Sequence, residues 1–253
     1  MKISGNTVFI PGATSGIGLE LAIALQAKGN TVIVGGRRRE LLDSIAAEHG
    51  LDTVRIDTAD PASITAVTAD VLAAHPDLNV LITMAGVMYI EDWHHPENFL
   101  ASAESTITTN VLGPIRLIAG FIEHLQTQPD ATVITVSSGL GFTPLKVTPS
   151  YNASKAAIHL LTETLRLQFA GSTVEFKELQ PPAVRTDLVP GQRDSEWAMP
   201  LEDFVAEVMD ILENQPDAKE IQVESVKFLR YSEVRGDYDH AVAVLNASDP
   251  NSD

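Results

Sequence analysis

Two periodicities alternate along this chain, and that alternation limits its fold more than any other feature. Short runs rich in Val, Ile and Thr at residues 7–10, 31–34, 53–56, 80–83, 132–136, 174–179 and 221–223 read as buried strands. Between them lie longer stretches at residues 18–28, 39–49, 61–74, 97–126, 151–170 and 201–213, most with apolar residues at i, i+3, i+4 and i+7. The stretch 97–126 is long enough for two helices. Strand–helix repetition of this kind builds βαβ units, whose parallel sheet is covered by helices on both faces. Right-handed crossovers then predict a single doubly wound α/β domain with a mostly parallel sheet of about seven strands. The domain should span residues 1–245, and the polar residues 246–253 should form a flexible tail.

Composition excludes several alternatives. A chain of 253 residues with 44% hydrophobic and 20% charged residues can bury a core. No apolar stretch approaches the roughly 18 residues of a membrane span, and residues 1–6 carry no signal-peptide pattern. The expectation is a soluble cytoplasmic protein with no membrane partner. The absence of cysteine removes disulfides, thiolate metal sites and cysteine nucleophiles. A net charge of −17 argues against nucleic acid as a partner. The pair His94-His95 lacks ligand spacing on a helix, so no metal site is expected.

The first strand runs into Pro11-Gly12-Ala13-Thr14-Ser15-Gly16-Ile17-Gly18, and a helix follows directly. Glycines at 12, 16 and 18 permit a tight turn and close approach to a pyrophosphate, which the helix N-terminus favours. The second strand ends in Gly35-Gly36-Arg37-Arg38-Arg39. An acidic residue near position 36 would accept from a ribose 2′-hydroxyl, but glycine stands there. Arg37, with Arg38 as runner-up, offers a fork to a 2′-phosphate. NADP(H) is therefore favoured over NAD(H). Asp57, after the third strand, reads equally as an adenine contact or as a helix cap before Pro61.

Tyr151 and Lys155 share one helix face at i and i+4. A tyrosine of pKa about 10 is a poor acid–base group at neutral pH, and a neighbouring ammonium, with the positive nicotinamide ring of an oxidised cofactor, is expected to lower that value. Ser138 stands at the C-terminal end of the fifth strand, where open α/β sheets bind ligands. Asn110 places an amide inside the helical stretch 97–126.

The glycine turn, Met84-Ala85-Gly86, Asn110, Ser138, Tyr151-x-x-x-Lys155 and Pro181…Thr186 occur in an order that resembles the short-chain dehydrogenase/reductase family. The likeness covers about residues 5–245, in the compact single-domain branch with a Rossmann fold. The wording around Asn6-Thr7-Val8 and Gly18-Leu19-Glu20 also resembles oxidoreductases named after the D-alanyl-teichoic-acid operon. The resemblance implies hydride transfer between NADP(H) and a small ketone, aldehyde or secondary alcohol, of the carbonyl-reductase type. It implies that Tyr151 protonates the carbonyl oxygen and Ser138 holds that oxygen. It further implies that Lys155 binds the nicotinamide ribose and tunes Tyr151, and that Asn110 holds a relay water. Gly12, Thr14, Ser15, Gly16, Ile17, Gly18, Ala85 and Gly86 would line the dinucleotide. Val184 and Thr186 would hold the carboxamide, with Pro181 shaping the turn. The helices near residues 111–125 and 156–167 resemble those through which the family forms homodimers and homotetramers.

Three departures stand out. Pro11 replaces a usual Thr, Thr83-Met84 a usual Asn-Asn, and Pro182 a usual Gly. Met84 is expected to pack, and Trp93, Val189, Trp197 and Met199 read equally as substrate contacts or as plain surface-loop residues. The competing functions are a non-catalytic NADP-sensing regulator, which has no need of Ser138, Tyr151 and Lys155 together, and an isomerase.

Overall fold

The computed structural model describes residues 1–248. Seven strands form one sheet: β1 (Thr7–Pro11), β2 (Thr31–Gly36), β3 (Asp52–Arg55), β4 (Val80–Thr83), β5 (Ala131–Val136), β6 (Val174–Leu179) and β7 (Glu220–Ile221). Their order is β3-β2-β1-β4-β5-β6-β7, and every pairing is parallel. The order reverses between β1 and β4, the switch point where a doubly wound sheet opens a crevice at its carboxyl ends. The expected α/β fold is the fold found.

Seven helices follow the expected stretches: α1 (Gly16–Ala27), α2 (Arg39–His49), α3 (Pro61–Ala74), α4 (Leu100–Ile107), α5 (Gly113–Leu125), α6 (Pro149–Gln168) and α7 (Leu201–Asn214). Local chemistry fixes several ends. Asp60 caps α3 by accepting from Ala62 N at 2.9 Å, with Pro61 at the first helical position. Gly50 ends α2 in the left-handed region at φ +65°. Three helices beyond the sheet, α8 (Lys227–Arg230), α9 (Ser232–Arg235) and α10 (Tyr238–Ser248), lack a strong apolar period and escape sequence reading. The last one runs into the first of the residues expected to form the tail. Asn246 is helical, takes Lys146 N at 2.7 Å and donates to Pro144 O at 3.0 Å. Residues 249–253 of that tail lie outside the described residues.

Side-chain alternation along the strands splits the core in two. Val8, Ile10, Val32, Val34, Ile82 and Ile134 face α1 and α7, burying Leu21, Leu25, Phe204 and Val208 with them. Phe9, Ile33, Leu81, Val133 and Phe176 face the other way, with Ile64, Leu117 and Phe121. Phe9 and Phe121 meet at 5.4 Å. Each such side chain contributes about 1.5–3 kcal/mol by leaving water, so the sheet is fixed from both faces. No helix among the described residues is long and apolar enough to cross a membrane.

Candidate active site

The turn after β1 is shaped by contact as well as conformation. Gly12 sits at φ +93°, and a Cβ there would fall 2.4 Å from Ala85 Cα. The β1 and β4 turns therefore touch, and only glycine lets them. Ser15 takes the N-cap place of α1 without a capping bond, so its first-turn N–H groups have no side-chain acceptor. Ser15, Gly16, Ile17 and Gly18 line a cavity of about 410 Å³. Arg37, Arg38, Gly86, Ser138, Tyr151, Lys155, Pro181, Val184 and Thr186 line the same cavity. A smaller cavity of about 190 Å³ adjoins it, lined by Thr14, Gly36, Asp57 and Ala85 and sharing Gly12, Ser15, Arg37, Arg38 and Gly86. The structure thus brings every predicted dinucleotide position to one crevice.

At the β2 end, Arg38 Nη2 donates to Thr14 Oγ1 at 3.2 Å. A Cβ on Gly36 would lie 2.3 Å from Thr14 Cγ2, so any side chain at position 36 must displace Thr14. The Arg37 guanidinium has no protein partner among the described residues; only its carbonyl is engaged, by Arg55 Nε at 3.3 Å. Asp57 does not cap α3, because Asp60 does. Its carboxylate instead takes Ala59 N at 3.0 Å while it lines the smaller cavity.

Ser138 follows β5 and caps the short turn Gly139–Gly141, accepting from Leu140 N at 3.2 Å. Its hydroxyl donates weakly to Pro181 O at 3.4 Å, which also receives Gly139 N at 3.0 Å. Tyr151 and Lys155 stand on successive turns of α6, both buried, with Nζ 5.4 Å from the phenol ring centroid. Lys155 Nζ donates to Val136 O at 2.8 Å. Burial pushes the Tyr151 phenol up to about 12, against a smaller downward pull from Ser138. The expected lowering by Lys155 is thus not present. Desolvation of the phenolate is the dominant effect, and the Lys155 ammonium is turned to the Val136 carbonyl. Burial also lowers Lys155 to about 8, with Glu178 acting the other way. Asn110 lies in a π-turn, Thr108–Leu112, between α4 and α5. Its Nδ2 donates to Val87 O at 2.9 Å and Ser154 Oγ at 3.1 Å, and its Oδ1 accepts from Val87 N at 2.8 Å. With both amide hydrogens taken, the side chain ties the β4 loop to α6 and has none left to donate to a relay water.

Comparison with known proteins agrees with this geometry. The family model for short chain dehydrogenases matches residues 6–197. The chain belongs to the short-chain dehydrogenase family. It is 36% identical over 98% of its length, and 100% of the relative's, to the uncharacterized oxidoreductase DltE of Bacillus subtilis. Its fold matches a short chain dehydrogenase from Burkholderia cenocepacia in complex with NADP, with TM-score 0.81, 23% identity and coverage of 97% and 99% of the two chains. A short-chain dehydrogenase from Sphingobium yanoikuyae in complex with NADPH gives TM-score 0.79 at 22% identity, covering 94% and 95%.

Within this short-chain dehydrogenase the substrate side departs from expectation. Trp93 stacks on Phe99 at 4.2 Å and donates to Glu91 at 3.0 Å. Met199 pairs with Val184 in a strand bridge, Val189 is buried, and Trp197 is exposed. None of the four lines the cavity. Val87, Met88, Tyr89, Pro182, Leu188 and Gln192 do. The available signal was position, since all follow β4 or β6 at the carboxyl edge of the sheet. Gln192 Nε2 donates to Val184 O at 2.6 Å, closing the loop after β6 on itself. Met84 both packs against the core and faces the cavity. Thr83 Oγ1 is buried without a hydrogen-bond partner among the described residues.

Proposed function

We propose that this oxidoreductase is an NADP(H)-dependent carbonyl reductase with Tyr151 as the proton donor. One observation carries the reading: Ser138, Tyr151 and Lys155 open into the same cavity as the glycine turn and Arg37. The close β1–β4 contact and the uncapped start of α1 suit a pyrophosphate, so the residues fit a dinucleotide. The relatives in complex with NADP and NADPH support the same choice. When bound, the cofactor supplies hydride from its nicotinamide ring.

The chain's own residues do the rest. Arg37, free of partners among the described residues, pairs with a 2′-phosphate, while Arg38 and Thr14 hold the turn beside it. Ser138 donates to the carbonyl oxygen, exchanging its weak bond to Pro181 O for a stronger one. Tyr151, kept protonated by burial, gives its proton to the same oxygen as the carbonyl becomes an alcohol. Lys155, charged below about pH 8, binds the nicotinamide ribose and stabilises the phenolate left behind. Apolar Val87, Met88, Leu188 and Pro182 suit a small, largely apolar ketone or aldehyde.

Loss of NADPH absorbance against a ketone and aldehyde panel tests the reading. Tyr151→Phe should abolish nearly all turnover while NADPH still binds. Near-normal rates in that variant would remove the mechanism.

A further inference from the structure

Glu178 on β6 is fully buried in a sheet interior. Its Oε1 accepts from Ser137 Oγ at 2.5 Å, and His159 Nδ1 lies 2.9 Å from its Oε2. Arg166 Nη2 stands 3.7 Å from the same oxygen. Strand register sets Glu178 opposite Thr135 and Leu179 opposite Val136. The carboxylate therefore lies beside the end of β5, where Val136 accepts from Lys155 Nζ and Ser138 enters the cavity. His159 is one turn beyond Lys155 on the same face of α6.

We propose that Glu178, held by Ser137 and His159, is a positioning residue for Lys155 and for the strand end that carries Ser138. The proposal rests on the role of Lys155 in the reductase reading above. A buried carboxylate costs several kcal/mol of desolvation, and a strand interior needs none for its own packing. Here the cost is offset by donors on both neighbouring elements. Burial pushes the Glu178 carboxyl up, but the bonds from His159 and Ser137 outweigh it and hold it below the usual carboxylate range. Ionised, it is the charged group that counters the burial of Lys155.

The surrounding charges fit this role better than a metal site. From α6, Glu163 faces His159 Nε2 at 3.9 Å and Arg166 faces Glu178. From β7, Glu220 comes within 4.8 Å of His159 and Glu178, and Arg230 neutralises it at 3.0 Å. A divalent ion on those three ligands would sit against two guanidinium groups already in place.

Lysine labelled with 13C at Cε, with the Lys155 resonance assigned by its loss in Lys155→Met, gives the Lys155 pKa directly by NMR. Glu178→Gln keeps the shape and removes the charge. The Lys155 pKa should fall by about one unit, and the alkaline limb of carbonyl reduction should move down with it. If the Gln variant does not fold, Glu178→Asp draws the charge back by one methylene and should give a smaller fall in the same direction. An unmoved Lys155 pKa in the folded variant overturns the proposal and leaves the reductase reading standing. That reading fails separately, on a Tyr151→Phe enzyme with normal turnover.

Discussion

Two arginines adjacent in sequence have different work here. Arg38 is committed to Thr14 at 3.2 Å, whereas Arg37 has no protein partner among the described residues. Arg37→Ala should therefore weaken NADPH binding by about 1.5–3 kcal/mol, the range for a charged hydrogen bond, and leave NADH nearly unchanged. Fluorescence titration with both cofactors checks this, and equal losses would count against a 2′-phosphate contact. Ser138 makes a similar point. Its bond to Pro181 O is long at 3.4 Å and easily exchanged. Ser138→Ala should lower turnover by about 10²-fold or more with little change in NADPH affinity. Poor NADPH binding in that variant would mean that Ser138 serves the fold, through its cap on Leu140 N.

At the scale of elements, the π-turn between α4 and α5 and the β4 loop form one unit, because Asn110 bridges Val87 to Ser154. That unit places α6, and α6 places Tyr151, Lys155 and His159 on one face. The opposite face of α6 carries Leu160 at 64% exposure and Leu167 at 79%, with Ile115 of α5 at 41%. Exposed leucines of this size on one helix fit association of two copies better than solvent. Sedimentation of the wild type should show a dimer or tetramer, and Leu160→Glu with Leu167→Glu should shift it to monomer with the far-UV spectrum intact. A wild type that sediments as monomer at micromolar concentration would defeat that assignment.

For the molecule as a whole, the site carries a stability cost that pH should reveal. Lys155 is lowered by burial from 10.5 to about 8. Between those values the unfolded chain holds more protons than the folded one, so stability rises with pH through that window. The cost of the buried ammonium is full below about pH 8 and gone near 10.5. Lys155→Met should raise stability near neutral pH by up to about 3 kcal/mol, less what is lost with the bond to Val136 O. The gain should shrink as pH rises toward 10.5. Urea denaturation at several pH values measures it, and a pH-independent difference would show that the ammonium is not the cause.

The sequence alone determined the architecture, the family and the crevice. Strand and helix periods are local, and the glycines, Ser138, Tyr151 and Lys155 sit at element ends whose places a doubly wound sheet dictates. Gly36 and the paired arginines were equally readable, since a missing acid is visible in one dimension. What the sequence could not decide were matters of distance between elements. The cap on α3 went to Asp60 and not Asp57, because backbone geometry chooses among nearby acids. Trp93 turned to Phe99 and Glu91 and left the cavity to Val87, Met88 and Tyr89, since loop side chains follow the neighbours they meet. The phenol of Tyr151 went up and not down, because burial is a property of the packed fold that spacing in sequence does not show. Residues 174–179 read in sequence as a buried strand, with nothing to say what Lys177 and Glu178 would meet there. Only packing across the faces of β6 closes over their side chains, with Ser137, His159 and Arg166 around Glu178 and the Pro216 and Ala218 carbonyls around Lys177.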